Sequence, residues 1–293
     1  MRRSAQIKGI AIAILLTIVL CISYAAWHED RRGLLTVSFL NIGQGDSIFI
    51  DAPSGRQVLI DGGPNSGILR ELSKVMPWYD RSIDVVIPTH PDADHVSGLI
   101  DVLDRFKIST VVHSSVQGDT STAQALVDAM KQEGAREITA RRGQVIDLGS
   151  TGSPQAGRPH AYLEVLSPDR LAPHVDTNDG CVVTRLVYGK TSFMLSCDAP
   201  QTIENYLVSL DGNALHSDVL KAGHHGSKTS SSPSFLGFVN PEYGVYSRGC
   251  NNRYGHPAPE TVARFAQFGI PTLDTCTDGT VTFVSDGVSV KRR

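Results

Sequence analysis

The segment THPDADHV, residues 89–96, concentrates two histidines and two aspartates between two apolar stretches. The preceding stretch, SIDVVIPTH, is apolar and rich in β-branched residues, which predicts a buried strand. The following stretch, HVSGLIDVLDRF, carries Val96, Leu99 and Leu103 at helical spacing and predicts an amphipathic helix. The polar cluster therefore lies where a buried strand ends and a helix begins, which is where α/β folds place binding sites.

Four side chains of this segment, His90, Asp92, Asp94 and His95, are donors that zinc, manganese or iron accept. A charged cluster in a loop is otherwise a solvated surface, since charged side chains are mostly exposed. The buried elements predicted on both sides argue against that alternative. We therefore predict a metal site in this segment.

The chain has 293 residues, of which 41% are hydrophobic, enough to bury the core of one large domain or two small ones. Its formal net charge is −3, and no run of lysines and arginines is longer than three residues. This composition excludes a broad basic surface that grips nucleic acid through its phosphates. Any contact with nucleic acid must be confined to a local site.

The N-terminal segment from Gly9 to Trp27 contains no charged residue. As a helix it would span roughly 28 Å, close to the thickness of a bilayer core. Arg2, Arg3 and Lys8 precede it, whereas the segment HEDRR after it has a net charge of about zero. The positive-inside rule then places the N-terminus in the cytoplasm and the rest of the chain outside.

We predict that residues 1–31 form a membrane anchor and that residues 32–293 form an extracytoplasmic domain. The alternative is a cleaved signal peptide, for which Ser23-Tyr24-Ala25 is an acceptable cleavage site. In that case the domain is secreted.

The body of the chain alternates short strands and helices. Three strands between residues 34 and 62 are followed by helices and strands to about residue 140, and a second β-rich block begins with VIDLG. After it come a helix, a strand and a β-α-β end. Two such halves predict an α/β fold in which two sheets pack face to face with helices outside. Further potential ligands follow predicted strands: Asp61, Asp198, His224, His225 and His256.

Six stretches in sequence order carry a family resemblance: FLNIGQGDSIFI, VLIDGG, THPDADHVSGL, FMLSCDA, VLKAGHHGSKTSSS and NNRYGHPAPE. They cover residues 36 to about 285. With these stretches the chain resembles a metallo-β-lactamase-fold hydrolase and, more narrowly, the exported hydrolase domain of ComEC-type DNA-uptake (competence) proteins. The resemblance implies a four-layer αβ/βα sandwich that holds two divalent metal ions, Zn²⁺ or Mn²⁺.

The resemblance also implies a ligand set shared between two ions, called ion one and ion two below. The set comprises His90 and Asp92 on ion one, Asp94 and His95 on ion two, Asp198 between the ions, and either His224 or His225 on ion two. For catalysis it singles out Asp94, together with Asp61, which would orient a ligand histidine. His256 would contact a phosphate oxygen or the leaving group, or alternatively only pack within its loop.

The function implied by the resemblance is that of a metal-dependent hydrolase, a phosphodiesterase or nuclease acting on extracytoplasmic DNA. Two ions would lower the pKa of water between them and supply a bridging hydroxide as nucleophile. The resemblance also makes the DNA-uptake machinery an expected partner. Two alternatives stay open: a hydrolase of another exported substrate, such as cell-wall phosphocholine or a β-lactam, and a degenerate binding module. The second is disfavoured because unpaired buried carboxylates are costly without a metal.

One ligand expected from lactamase-like proteins, a third histidine on ion one, has no clear match. His113, His160 and His174 lie in no recognisable motif, and we expect each of them on the surface.

The cysteines of an exported domain favour disulfides. Cys250 and Cys276 end two strands of a predicted β-α-β unit, whose parallel neighbours lie close enough for a bond, so we predict this pair. The pairing of Cys181 with Cys197 depends on hairpin register and stays open. For Cys197, beside Asp198, a neutral thiol packed beneath the site and a metal-bound thiolate are both considered.

Overall fold

The computed structural model describes residues 2–29, 33–149, 159–171 and 173–293. Most of the predicted loop at 149–160, and the predicted domain boundary between residues 31 and 32, lie outside these ranges. The chain divides into two units, residues 1–33 and 34–293, which are described separately.

The first unit is one helix, α1 (Arg2–Glu29). Its stretch Gln6–Tyr24 is long and apolar enough to cross a membrane, and none of it is buried. A signal sequence has the same features, so α1 is a candidate membrane anchor by length and composition alone.

The second unit contains fifteen strands and seven α-helices among its described residues. The strands are β1 (Leu35–Phe39), β2 (Ile48–Asp51), β3 (Gln57–Ile60), β4 (Ser82–Ile87), β5 (Lys107–His113), β6 (Arg136–Thr139), β7 (Val145–Gly149), β8 (Ala161–Ser167), β9 (Val183–Tyr188), β10 (Thr191–Leu195), β11 (Val219–Lys221), β12 (Tyr243–Tyr246), β13 (Thr272–Asp274), β14 (Val281–Ser285) and β15 (Val290–Arg292). The helices are α2 (Gly67–Val75), α3 (Ala93–Arg105), α4 (Ser121–Glu133), α5 (Gln201–Asp211), α6 (Pro233–Val239), α7 (Pro259–Gln267) and α8 (Thr275–Asp278).

The strands form two sheets. The first has the order β15-β14-β1-β2-β3-β4-β5-β6, and the second has the order β13-β12-β11-β10-β9-β8-β7. Strands β3 to β6 run parallel to one another, as do β10 to β13. The carboxyl ends of the strands in each parallel set therefore share one sheet edge, where polar side chains in the following loops can meet.

Three apolar layers hold the unit together. One lies between the sheets and contains Val37, Ile50 and Phe193. A second joins the first sheet to α2, α3 and α4, and a third joins the second sheet to α5, α6 and α7. The predicted four-layer αβ/βα sandwich is thus confirmed, and the amphipathic pattern after His95 is the buried face of α3.

The C-terminal part differs from the prediction. The β-α-β unit exists, with β12 parallel to β13, but the chain then returns to the first sheet, where β14 pairs with β1 and β15. Helix α6 was also not predicted. These elements are short, three to seven residues, so they show too few periods for a sequence pattern to reveal them.

Two disulfides are present. Cys250 pairs with Cys276, as predicted, although both residues lie just beyond the strands rather than at their ends. Cys197 pairs with Cys181, the pairing that had stayed open, so Cys197 is neither the neutral thiol nor the metal-bound thiolate considered for it. The hairpin of β9 and β10 places the two flanking cysteines beside each other.

Candidate metal centre

The candidate ligands come together at the carboxyl ends of the strands. Asp61 follows β3, His90 follows β4, Asp198 follows β10 and His225 follows β11, while His95 lies in the first turn of α3. The backbone of Asp61 and of His225 is left-handed, with φ of 57° and 55°. Such conformations are strained for residues with a side chain, and they are concentrated at functional sites.

Asp61 orients two histidines. One of its oxygens accepts a hydrogen bond from Nδ1 of His95 at 2.8 Å and another from the hydroxyl of Thr89 at 2.8 Å. Because that hydroxyl donates to Asp61, its oxygen can accept from Nδ1 of His90, which lies 2.9 Å away. With Nδ1 of each histidine used as a donor, the Nε2 of each faces the cluster and offers its lone pair to a metal once that nitrogen is unprotonated.

Of the two adjacent histidines after β11, His225 belongs to the cluster. Its Nδ1 donates to the carbonyl of Ser247 at 2.9 Å, and its Nε2 lies 3.3 Å from carboxylate oxygens of Asp94 and Asp198. His224 is 30% exposed and its Nε2 is 3.7 Å from Asp198. The sequence left this choice open, and the geometry favours His225.

Three buried nitrogens, Nε2 of His90, His95 and His225, have no hydrogen-bond partner within the described part of the chain. Groups formed by these histidines with Asp94 and Asp198 have ligand atoms within 4.8 Å of one another. Buried polar atoms without partners are rare because each costs free energy. Imidazole and carboxylate donors converging in this way can hold divalent cations.

The electrostatics of the cluster favour positive charge. Burial lowers the pKa of His95, but the carboxylates of Asp198 and Asp61 outweigh it and hold this pKa well above its usual range. The same balance, with Asp198 and Asp46 as the carboxylates, raises the pKa of His225. Without a cation these two histidines therefore carry protons, which a binding metal must displace.

Two charged residues of the cluster were missed by sequence reasoning, Asp46 and Lys221. Lys221 is fully buried, and its ammonium contacts Asp46, lies 3.2 Å from Oδ1 of Asp198 and donates to the carbonyl of Cys197 at 2.7 Å. Asp46 is also buried, and its other oxygen lies 3.4 Å from Nδ1 of His225. Both residues lie inside stretches that carry the family resemblance, GQGD and VLKAGHHGS, which was the available signal.

The charges around the cluster do not balance by themselves. Five carboxylates face the single ammonium of Lys221, which leaves four negative charges when the histidines are neutral. The carboxylates are those of Asp46, Asp61, Asp92, Asp94 and Asp198. Without a cation, the protons on His95 and His225 offset two of these charges. Two dications, which displace those protons, would neutralise all four.

The other predicted residues lie at the margin of the cluster. Asp92 is half-exposed, with Oδ2 3.6 Å from Nε2 of His90. The ring of His256 lies 5.7 Å from that of His224, and its Nδ1 is buried with no partner among the described residues. Burial and the adjacent His224 lower the pKa of His256 to about 4, so its imidazole is neutral at neutral pH.

The loop before β9 packs against the His90 segment and carries a buried side-chain oxygen. Asp92 is hydrogen-bonded by Thr177, and Val182 donates its amide to the carbonyl of Thr89 at 3.0 Å, so this loop lies against the His90 segment. The side-chain oxygen of Asn178, in the same loop, is buried and has no hydrogen-bond partner in the part of the chain that the structure describes. No motif marks this residue, so sequence reasoning did not find it.

The three histidines expected on the surface differ from one another. His160 and His174 are exposed. The prediction for His113 was wrong, because its side chain is only 28% exposed and lines a cavity.

Comparisons with known proteins agree with this geometry. Residues 40–249 match the family described as the Metallo-beta-lactamase superfamily. The chain is similar to ComE operon protein 3 of Bacillus subtilis (strain 168), with 28% identity covering 84% of this chain and 32% of that protein. It is also similar to Competence protein ComA of Neisseria gonorrhoeae, with 30% identity covering 84% of this chain and 32% of that protein. The chain therefore spans about a third of the length of these relatives.

A solved structure shares the fold. CmlA, a diiron beta-hydroxylase from Streptomyces venezuelae, superposes with a TM-score of 0.52 over 88% of this chain and 54% of its own. The sequence identity is 13%, so this likeness shows the fold alone.

Proposed function

Because the chain belongs to the metallo-β-lactamase superfamily, we propose that it is a metal-dependent phosphodiesterase that cleaves DNA outside the cytoplasm. The observation that carries the proposal is the convergence, on the carboxylates of Asp94 and Asp198, of three buried Nε2 atoms that have no hydrogen-bond partner among the described residues. These donors fit two divalent cations, Zn²⁺ or Mn²⁺, which the superfamily uses for hydrolysis.

The ligands divide between two positions. His90 and Asp92 would hold ion one, whereas Asp94, His95 and His225 would hold ion two, with Asp198 shared between them. Two bound dications supply a nucleophile from water at neutral pH and offset the negative charge that develops on phosphorus.

The protein's own groups prepare this chemistry. The ammonium of Lys221 contacts Oδ1 of Asp198, which leaves Oδ2 facing the histidines. Oδ2 lies 3.3 Å from Nε2 of His95 and 3.3 Å from Nε2 of His225. The neutral ring of His256 would hydrogen-bond a phosphate oxygen or the leaving group. The disulfide at Cys250 fastens the loop that carries His256.

DNA is the substrate class implied by the resemblance to ComEC-type DNA-uptake proteins, and one relative is named Competence protein ComA. The full-length chain, purified in detergent with Mn²⁺ or Zn²⁺, should be assayed on single-stranded DNA, duplex DNA, bis-p-nitrophenyl phosphate and nitrocefin. Turnover of the phosphodiesters supports the proposal. Turnover of nitrocefin alone would replace it with a lactamase function, and binding without turnover would indicate a degenerate binding module.

Ion one needs a further donor, and we propose the side-chain oxygen of Asn178. Asn178→Ala is expected to weaken metal binding at ion one by about 10-fold or more, while the stronger site at ion two stays filled. Calorimetric titration of the metal-free protein with Mn²⁺ measures both sites, and Asn178→Asp should restore binding. Unchanged affinity in the alanine variant would remove Asn178 from the ligand set.

We propose that α1 anchors the chain with the second unit outside the cytoplasm. A reporter enzyme that is active only outside the cytoplasm, fused after Arg293, is expected to be active, since Arg2, Arg3 and Lys8 keep the N-terminus inside. A silent fusion, with an active cytoplasmic reporter at the same position, would invert this topology. N-terminal sequencing that begins at Ala26 would show secretion after cleavage.

A further inference from the structure

A cavity of about 630 Å³ lies directly beside the metal centre on the side of His90. Its walls come from the carboxyl ends of β4, β5 and β6, from helix α4, and from the segments after β5 and β8. His90 and Pro91 are part of its lining, so the cavity and the cluster share a wall. Its volume is within the range of small-molecule pockets, roughly 300–1,000 Å³.

The lining is mostly apolar and carries no positive charge among the described residues. The apolar wall includes Pro88, Val116, Leu126, Val127, Met130 and Leu171. A phosphate would find no lysine or arginine there and would face the carboxylate of Glu137. The cavity therefore suits an uncharged group.

The polar end of the cavity presents hydrogen-bond acceptors. Nδ1 of His113 donates to the carbonyl of Ser114 at 2.8 Å, which leaves the lone pair of Nε2 as an acceptor. The carboxylate of Glu137 lies 3.8 Å from that Nε2. A flat group with an N–H edge fits between these acceptors and the apolar wall, and nucleobases have that chemistry.

The cavity is preformed by close packing. A Cβ atom on Gly118 would lie 2.7 Å from Pro91 and 2.6 Å from Ala123, so the segment after β5 is wedged between the His90 segment and α4. The wall shared with the metal centre is thus fixed without a ligand.

We propose that this cavity binds one nucleobase of the strand whose phosphodiester lies at the metal centre. The proposal rests on the proposed phosphodiesterase function and deepens it, because it makes recognition depend on a base rather than on the phosphate backbone. It also explains how DNA can bind a chain whose formal net charge is −3.

The test compares two single-stranded substrates, a short thymidine oligonucleotide and a strand of the same length built from abasic tetrahydrofuran phosphates. The wild-type chain is expected to cleave the thymidine strand about tenfold faster or more. Val127→Trp fills the cavity from α4 and should remove this preference, so that the thymidine strand is cleaved no faster than the abasic strand. Lys131→Trp, at an exposed position of the same helix outside the cavity, should behave like the wild type.

Equal wild-type rates on the two strands would overturn the proposal. A preference for the thymidine strand that survives in Val127→Trp would also overturn it, provided that thermal unfolding shows this variant to be folded. If neither strand is cleaved while nitrocefin is, the phosphodiesterase function itself fails and the base pocket fails with it.

Discussion

Replacing Asp94 by asparagine, or His95 by alanine, is expected to lower phosphodiesterase turnover by at least about 100-fold, because loss of an outer partner alone costs a metal site 10–100-fold. Asp94 and His95 both contact the position assigned to ion two, where Nε2 of His225 lies 3.3 Å from Asp94. Asparagine keeps the shape of the aspartate but removes the charge that attracts the cation. Turnover should be measured together with the metal content of the purified protein, which is expected to fall by about one ion per chain.

The matched control is Asp104→Ala, which removes an exposed carboxylate from the same helix, α3, without touching the cluster. It should keep both metal content and turnover. His95 is fully buried, so its variant also requires a thermal unfolding measurement, whereas the side chain of Asp94 is 34% exposed and its asparagine variant should fold normally. Full activity in both variants, with unchanged metal content, would exclude the proposed centre.

The sequence could predict those parts of the molecule that local patterns encode. The segment THPDADHV lies between an apolar strand and a helix with a clear amphipathic pattern. The order of these two elements, and the position of the four candidate ligands between them, could therefore be predicted. Asp61, Asp198 and the histidine pair were recognisable because each follows a predicted strand. The assembly of two sheets with helices outside followed from the repeated order of elements.

The remaining features depend on contacts between distant segments. A lysine at the end of β11 looks like a normal exposed strand end, and nothing near it in sequence shows that Asp46 lies opposite. The same holds for Asn178, whose side-chain oxygen is buried and has no hydrogen-bond partner among the described residues, a feature that the sequence does not show. The pairing of Cys197 with Cys181 stayed open for a related reason, since it depends on the register of the hairpin formed by β9 and β10, which the sequence does not determine.

Lys221→Met is expected to destabilise the metal-free protein by about 3–5 kcal/mol, the cost of breaking a buried ion pair by removing one partner. Burial lowers the pKa of Lys221, but the carboxylates of Asp46 and Asp198 outweigh it and raise this pKa above its usual value, so the ammonium is charged. Its three donors are all used, on Asp46, on Asp198 and on the carbonyl of Cys197. Methionine has a similar length but none of these donors, so it leaves the buried Asp46 carboxylate with His225 at 3.4 Å and His95 at 3.9 Å but without its ammonium partner.

The decisive comparison is a double-mutant cycle with Asp46→Asn, followed by urea unfolding in the presence of a chelator. If Lys221 acts by neutralising Asp46, the double variant should be more stable than Lys221→Met alone, because no unpaired carboxylate is left in the interior. Lys221→Arg is not a conservative control at this fully buried position, because the planar guanidinium is larger than an ammonium and directs its donors differently. A loss below about 1 kcal/mol in Lys221→Met, the range of exposed ion pairs, would show that Asp46 does not depend on this lysine. If the double variant is no more stable than Lys221→Met, the partner that depends on Lys221 is Asp198 instead. Loss of the lysine would then free Oδ1 of Asp198, and the metal affinity should change.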